Sequence, residues 1–327
     1  MSLEWLRVHR DVNANRVTSS VVIVIRKPLT LLSITFALAL MACGGSDDAS
    51  TSTSPAASET LLPTTTMRST TTITALTVTT PASTTPSSTT TTTVPSLDEI
   101  TERSEVPTGV PVEFGRSVLD RPLEVIRRGD VDGARVLVVG CIHGDEDAGT
   151  AITRVLESIE VPAGVELWIV PTMNPDGTAL DQRHNANGVD LNRNFGVNWA
   201  PLGEPGNWQY GGPDAASEPE TQAMSRLGEL VEPDLVLWYH QDLYRITPSS
   251  GLGGQLRARY AELTGLPLLQ VTGGTYTGTA SQWSRTVTTA SGTGFTIELG
   301  ASLSPDEAVM HAGAVVAVTL EYLAPAG

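Results

Sequence analysis

Residues 44–97 are dominated by Thr, Ser, Pro and Ala, and this run constrains the rest of the chain more than any other feature. With so few large apolar side chains it cannot bury enough surface to offset the entropy of ordering its backbone. It reads as a disordered tether. Its 54 residues would span roughly 40 Å as a flexible coil, and ~150 Å if drawn toward polyproline geometry. The folding problem is thereby confined to residues 98–327, which carry 14 Arg against 31 Asp plus Glu. Across all 327 residues the net charge is −16, an acidic balance that argues against a nucleic-acid partner, whose phosphates call for clustered Lys and Arg. Lys27 is the only lysine, a compositional bias without bearing on mechanism. Two cysteines, Cys43 and Cys141, cannot build a disulfide framework.

Ahead of the tether, Arg26 and Lys27 precede an apolar run, Leu29 to Ala42, that is shorter than the roughly 20 residues needed to cross a bilayer. Residues 1–43 thus read as a secretory signal with its charged and apolar regions. The ending Leu40-Met41-Ala42-Cys43 resembles a bacterial lipobox, which implies cleavage before a lipidated Cys43. The expected product is exported and held on the outer face of a bacterial membrane by its acyl anchor. Residues 1–25 fit no signal pattern and are compatible with an over-extended translation start.

The folded part shows no internal repeat and no second linker, so one domain is expected. Apolar runs suited to buried strands fall at Arg135–Ile142, Glu166–Pro171, Leu235–His240 and Gly294–Leu299. Helical patterns lie between them, at Ala148–Ile159, Glu218–Val231 and Asp306–Leu323. Ser217 with Glu220 has the spacing of a capping box. This alternation predicts an α/β fold, a mixed and mostly parallel twisted sheet with helices on both faces. Ligands of such sheets gather at the carboxyl ends of the strands.

The chemistry-bearing residues sit at those ends. The first run is followed by His143-Gly144-Asp145-Glu146, and an imidazole and a carboxylate three apart can turn toward one zinc ion. The third run ends in His240, a candidate third ligand. Three protein ligands and one open position are the arrangement of a catalytic zinc. The fourth ends in Glu298, flanked by apolar residues that would raise its pKa and suit it to move protons.

Between these ends lie Asn174-Pro175-Asp176-Gly177 and Arg183-His184-Asn185-Ala186-Asn187-Gly188-Val189-Asp190-Leu191-Asn192-Arg193-Asn194-Phe195. Together with a Ser-Glu-Pro-Glu-Thr helix start and the Thr-Ile-Glu-Leu strand, the set resembles the M14 family of zinc carboxypeptidases, with all six pieces in the family's order. The resemblance implies one zinc ion held by His143, Glu146 and His240. It implies Glu298 as the general base for zinc-bound water, and Arg183 as the group that polarises the scissile carbonyl. Asn192 and Arg193 match the pair that grips a substrate's terminal carboxylate, and Tyr276 stands where a mobile tyrosine could cover the substrate. The expected substrate is a peptide with a free C-terminal carboxylate.

Within the family, the short spacing from Arg183 to Phe195 and the compact segment after His240 look most like murein tripeptide amidases, which cleave the γ-D-glutamyl bond to diaminopimelate in cell-wall peptides. Those enzymes act typically on recycled peptides in the cytoplasm, and the export signal here departs from that pattern. A broad-specificity carboxypeptidase, a deacylase resembling aspartoacylase and succinylglutamate desuccinylase, and a tethered binding module are the alternatives. Asn-Pro-Asp-Gly and Ser-Glu-Pro-Glu-Thr favour the peptidase side, and no ligand has been lost. No Gly-x-Ser-x-Gly, His-Glu-x-x-His or Gly-x-Gly-x-x-Gly occurs to support a serine hydrolase, thermolysin-like or dinucleotide-binding reading. Structural roles are expected elsewhere: Cys141 as a buried strand residue, Asp145 as a solvated group or a support for a ligand histidine, and His184 as a surface neighbour of Arg183. His311 is expected on a solvated helix face, and Asp176 with Gly177 in a turn.

Overall fold

In the computed structural model the four apolar runs are four neighbouring strands. The structure describes residues 95–97, 100–289 and 293–324, with five short strands nearer the N-terminus. Of the latter, Val8–Asn13, Arg16–Val21 and Leu76–Val78 form a three-stranded sheet, and Val24–Arg26 pairs antiparallel with Thr70–Thr72. The apolar run Leu29–Ala42, Cys43 and most of the segment assigned to the tether lie outside the described residues. Among the described residues no helix is long and apolar enough to cross a membrane.

Numbered within residues 95–324, the strands are β1 (Pro111–Arg116), β2 (Pro122–Gly129), β3 (Ala134–Val139), β4 (Val165–Val170), β5 (Leu235–Gln241), β6 (Arg245–Ile246) and β7 (Gly294–Leu299). They form one mixed sheet in the order β6-β7-β5-β3-β4-β2-β1. The central four, β7, β5, β3 and β4, run parallel, and antiparallel pairing is confined to the margins. The helices are α1 (Gly149–Ser158), α2 (Pro175–Leu180), α3 (Pro219–Val231), α4 (Gly251–Thr264), α5 (Ala280–Val287) and α6 (Pro305–Tyr322).

Successive side chains of a strand point to opposite faces, so each central strand feeds two cores. Val136, Leu167, Leu237 and Phe295 join the core covered by α1, α4 and α6. Leu137, Trp168, Val236 and Trp238 join the one covered by α3 and α5. Burial on both faces is the reason these strands read as continuous apolar runs. The predicted α/β sheet with helices on both faces is the observed one.

Three local expectations are corrected. The N-cap of α3 is Glu218, without a side-chain cap bond, and Ser217 and Glu220 form no capping box. Instead Ser217 donates to Glu218, and Glu220 accepts from the Val118 amide and from Asn185, in a buried polar network. The capping box belongs to α6, where Ser304 and Glu307 satisfy each other's backbone amides. His311 is buried rather than solvated, 2.9 Å from the Tyr260 hydroxyl, because α6 packs tightly on α4. Asp176 and Gly177 begin the short helix α2 rather than a turn. Asp176 is fully buried there and accepts from Ser117, Leu119 and Arg121, which ties the β1–β2 hairpin to the sheet end.

Candidate active site

The carboxyl ends of β3, β5 and β7 deliver the site. His240 shares its face of β5 with Val236 and Trp238 and pairs in register with Glu298 on β7, so the two side chains are placed next to each other. Beyond β3 the chain closes a turn, with the Glu146 amide donating to the His143 carbonyl at 3.0 Å. That turn brings Glu146 Oε1 to 2.9 Å from His143 Nδ1. Gly144 is required within it: a Cβ there would lie 2.0 Å from the Gly177 backbone. The loop is packed directly onto the start of α2.

His143, Glu146 and His240 converge so that one ligand atom from each lies within 4.8 Å of the others. Glu146 Oε2 is 2.8 Å from His240 Nδ1, and the two imidazoles meet edge to face with centroids 4.7 Å apart. Both histidines turn Nδ1 inward, and their outer nitrogens are held from behind. His143 Nε2 donates to Asp190 Oδ1 at 3.1 Å, and Asn192 Nδ2 approaches His240 Nε2 to 3.3 Å. Two nitrogens and a carboxylate oxygen, oriented by groups behind them, are a donor set that fits zinc. Burial alone would raise the Glu146 carboxyl, but hydrogen bonds from His143 and His240 overcome it and hold the pKa well below the carboxylate range.

Asp190 is the residue the sequence reading quoted but gave no role. It is fully buried, caps the turn Leu191–Arg193 through the Asn192 amide, and holds both His143 and Arg183. Asp145, the residue expected as a possible support for a ligand histidine, is exposed. Burial would raise the Asp190 pKa, yet the charges of His143 and Arg183 keep it low. Its position inside Asp-Leu-Asn-Arg, two residues before Asn192, was the available signal.

Arg183 reaches the cradle: Nη1 donates to Glu146 Oε1 at 3.1 Å, while Nη2 and Nε donate to Asp190 Oδ2 at 2.7 and 3.1 Å. Its guanidinium lies over the Trp208 ring, 4.8 Å from the centroid. Arg193 is buried, donates to the Asn192 carbonyl at 2.7 Å and stacks on Tyr276 at 5.3 Å. Tyr276 itself is 49% exposed. Asn192, Tyr276 and Glu298 all line one cavity of about 270 Å³ beside the cradle. Desolvation raises the Glu298 pKa, and the negative charge of Glu146 adds to the shift against the pull of His240. Cys141 is a buried thiol pushed up to about 11 by burial, not a ligand, and His184 contacts the Trp208 carbonyl at 3.0 Å. Cys43 lies outside the described residues.

This geometry is accompanied by similarity along most of the domain. The zinc carboxypeptidase (peptidase M14) profile matches residues 101–241. Murein peptide amidase A of Escherichia coli K12 is 32% identical over 194 residues, 56% of this chain and 78% of that protein. The chain belongs to the M14 zinc carboxypeptidase family. Among solved structures, murein-tripeptide amidase MpaA from Escherichia coli O157 superposes with a TM-score of 0.53 at 28% identity, over 68% of this chain and 94% of that one. Carboxypeptidase A from Helicoverpa armigera gives a TM-score of 0.56 at 20% identity, over 65% of this chain and 68% of that one, which speaks to the fold alone. Membership makes this chain a zinc-dependent peptide hydrolase.

Proposed function

We propose that the protein is an exported, lipid-anchored zinc metallopeptidase that hydrolyses the amide bond preceding a C-terminal residue in cell-wall peptides. The observation that carries this reading is the His143–Glu146–His240 cradle beside Glu298, in a chain 32% identical to a murein peptide amidase over 78% of its length. The anchored location rests on the signal and on Cys43. With the tether it would let the domain work at the wall.

His143, Glu146 and His240 would hold the zinc ion, which when bound would supply Lewis-acid chemistry, acidifying a water and polarising a carbonyl. Glu298 accepts the proton of the attacking water and returns it to the leaving amine nitrogen, a task suited to a carboxyl whose pKa is raised by desolvation. Arg183, aimed at the cradle, offers its guanidinium to the oxygen on which charge develops. Asn192 and Arg193 receive the terminal carboxylate. The Tyr276 ring covers Arg193, so an arriving carboxylate takes that ring's place over the guanidinium. Asp190 keeps His143 and Arg183 oriented throughout.

The test compares release of diaminopimelate from L-Ala-γ-D-Glu-diaminopimelate with release of C-terminal residues from ordinary L-peptides by the zinc-loaded chain, each with a chelated control. Chelator-sensitive cleavage confined to the wall peptide is the expected outcome. Cleavage of ordinary peptides in preference would make the protein a general carboxypeptidase, and inactivity on both with zinc bound would overturn the reading. For the anchor, replacing Cys43 by Ser should abolish acyl labelling and release the protein from the membrane fraction.

A further inference from the structure

Trp208 is the most exposed large apolar side chain among the described residues, at 60%, whereas Trp168, Trp238 and Trp283 are each at most 5% exposed. Exposure alone says little, since single apolar side chains are common on surfaces. What sets Trp208 apart is how firmly it is held and what it covers.

The loop that carries it contains neither helix nor strand, yet it is pinned to the turn behind the metal cradle. The Asp190 amide donates to the Tyr210 carbonyl at 2.8 Å, and the Gly211 carbonyl accepts from Asn194 Nδ2 at 2.9 Å and from Trp199 Nε1 at 3.1 Å. Just before those anchors the chain closes on itself around Trp208: the Tyr210 amide donates to the Asn207 carbonyl at 3.0 Å, and the Gln209 amide to Asn207 Oδ1 at 2.9 Å.

Two parts of Trp208 act on Arg183. Its carbonyl accepts from Arg183 Nε at 3.2 Å, and its ring centroid lies 4.8 Å from the guanidinium carbon. The guanidinium nitrogens are engaged besides: Nη1 donates to Glu146, and Nη2 and Nε donate to Asp190. Such bonds lie near the guanidinium plane and fix it within that plane, whereas a ring stacked on one face opposes tilting out of it. Neither Arg183 nor Trp208 lines the cavity of about 270 Å³ beside Glu298, so the ring is no part of that wall.

Resting on the peptidase reading above, we propose that Trp208 is a positioning residue for the reaction, its ring holding the Arg183 guanidinium in the orientation in which it meets the oxygen that gains charge. The ring also keeps water from one face of the cation, and a cation that is already oriented and partly dry stabilises developing charge more strongly. The effect of the ring passes through Arg183, so it must vanish when Arg183 is removed.

The test is a double-mutant cycle in the zinc-loaded full chain, with L-Ala-γ-D-Glu-diaminopimelate as substrate. Trp208→Ala should lower kcat about 3- to 30-fold, the range of a partly desolvated cation–π contact, with KM changed less than about 2-fold. Trp208→Phe keeps an aromatic face and should recover most of kcat, while Trp208→Leu, apolar but without that face, should not. In an Arg183→Ala background, Trp208→Ala should cost less than about 2-fold. Where turnover there is too slow to follow, the same cycle is read by calorimetry, from binding of an analogue with a tetrahedral phosphonate in place of the scissile amide. Equal losses with and without Arg183 overturn the proposal. A raised KM at unchanged kcat would make the ring a substrate contact, and full activity in Trp208→Leu would reduce it to packing; either result overturns it too. These failures occur in an active native enzyme, whereas a native chain that holds zinc but neither cleaves the peptide nor binds the analogue would remove the peptidase reading itself.

Discussion

The metal cradle and the arginine-lined cavity lie side by side at the carboxyl edge of one sheet, yet they handle charge in opposite ways. In the cradle every ionisable group has a partner: Glu146 faces both histidines, and Asp190 binds His143 and Arg183. In the cavity Arg245, Arg257 and Arg285 have no ion-pair partner among the described residues, and two of their buried nitrogens are orphaned. A site that must hold one ion at fixed geometry is preorganised by its own chain. A pocket whose cations have no anion of the chain's own leaves their charge open to a ligand.

Glu298 stands between the two regions, so its substitution is the sharpest test of their separation. Glu298→Gln should lower kcat by about 10²- to 10⁴-fold while zinc stoichiometry, measured by metal analysis, stays at one per chain. Loss of zinc would show that Glu298 belongs to the cradle, and near-normal turnover would remove it from proton transfer.

Acid sensitivity asks whether activity lost at low pH belongs to either region or to the fold beneath them. Burial lowers the His311 pKa from 6.5 to about 4, so folding favours its neutral form. Its contribution is complete above pH 6.5, where the unfolded chain is also neutral, and is lost as pH falls from 6.5 to about 4. The size is roughly 3 kcal/mol. Urea denaturation between pH 7 and pH 4 should show this loss, with a shallower slope in His311→Gln; identical slopes would exclude His311 as the cause.

The smallest effect is expected behind the cradle. Asp190→Asn keeps the shape but removes the charge that orients His143 and Arg183, and should weaken zinc affinity about 10- to 100-fold in a chelator competition. The preference for the wall peptide over ordinary L-peptides should be unmoved. If it changed with zinc saturated, the two regions would be coupled and the contrast between them would fail.

The four central strands were legible because burial on both faces leaves an unbroken apolar run, as in Leu235-Val236-Leu237-Trp238-Tyr239. The β1–β2 hairpin was not, because alternation with Glu113, Glu124 and Arg127 breaks up the runs of a strand pair at the sheet margin. Helix α4 begins Gly-Leu-Gly-Gly, a poor helix former, and gains its stability by burying Leu256 and Tyr260 against α6. Ser217 and Glu220 had the spacing of a cap but were drawn into a buried network with Asn185 and Asn194. Local spacing is a weak guide where tertiary partners compete for the same hydrogen bonds.

The sequence by itself determined which residues meet at the sheet edge, because His143, Glu146, His240 and Glu298 each end or follow an apolar run, and parallel strands put such ends on one edge. Only the tertiary structure decided what stands behind and beside them. Asp190 reaches His143 across 47 positions of chain, and Arg245, Arg257 and Arg285 come from a short strand and two separate helices. Side chains so far apart in sequence share no local pattern, and only the packing of β6, α4 and α5 around β7 makes them one pocket.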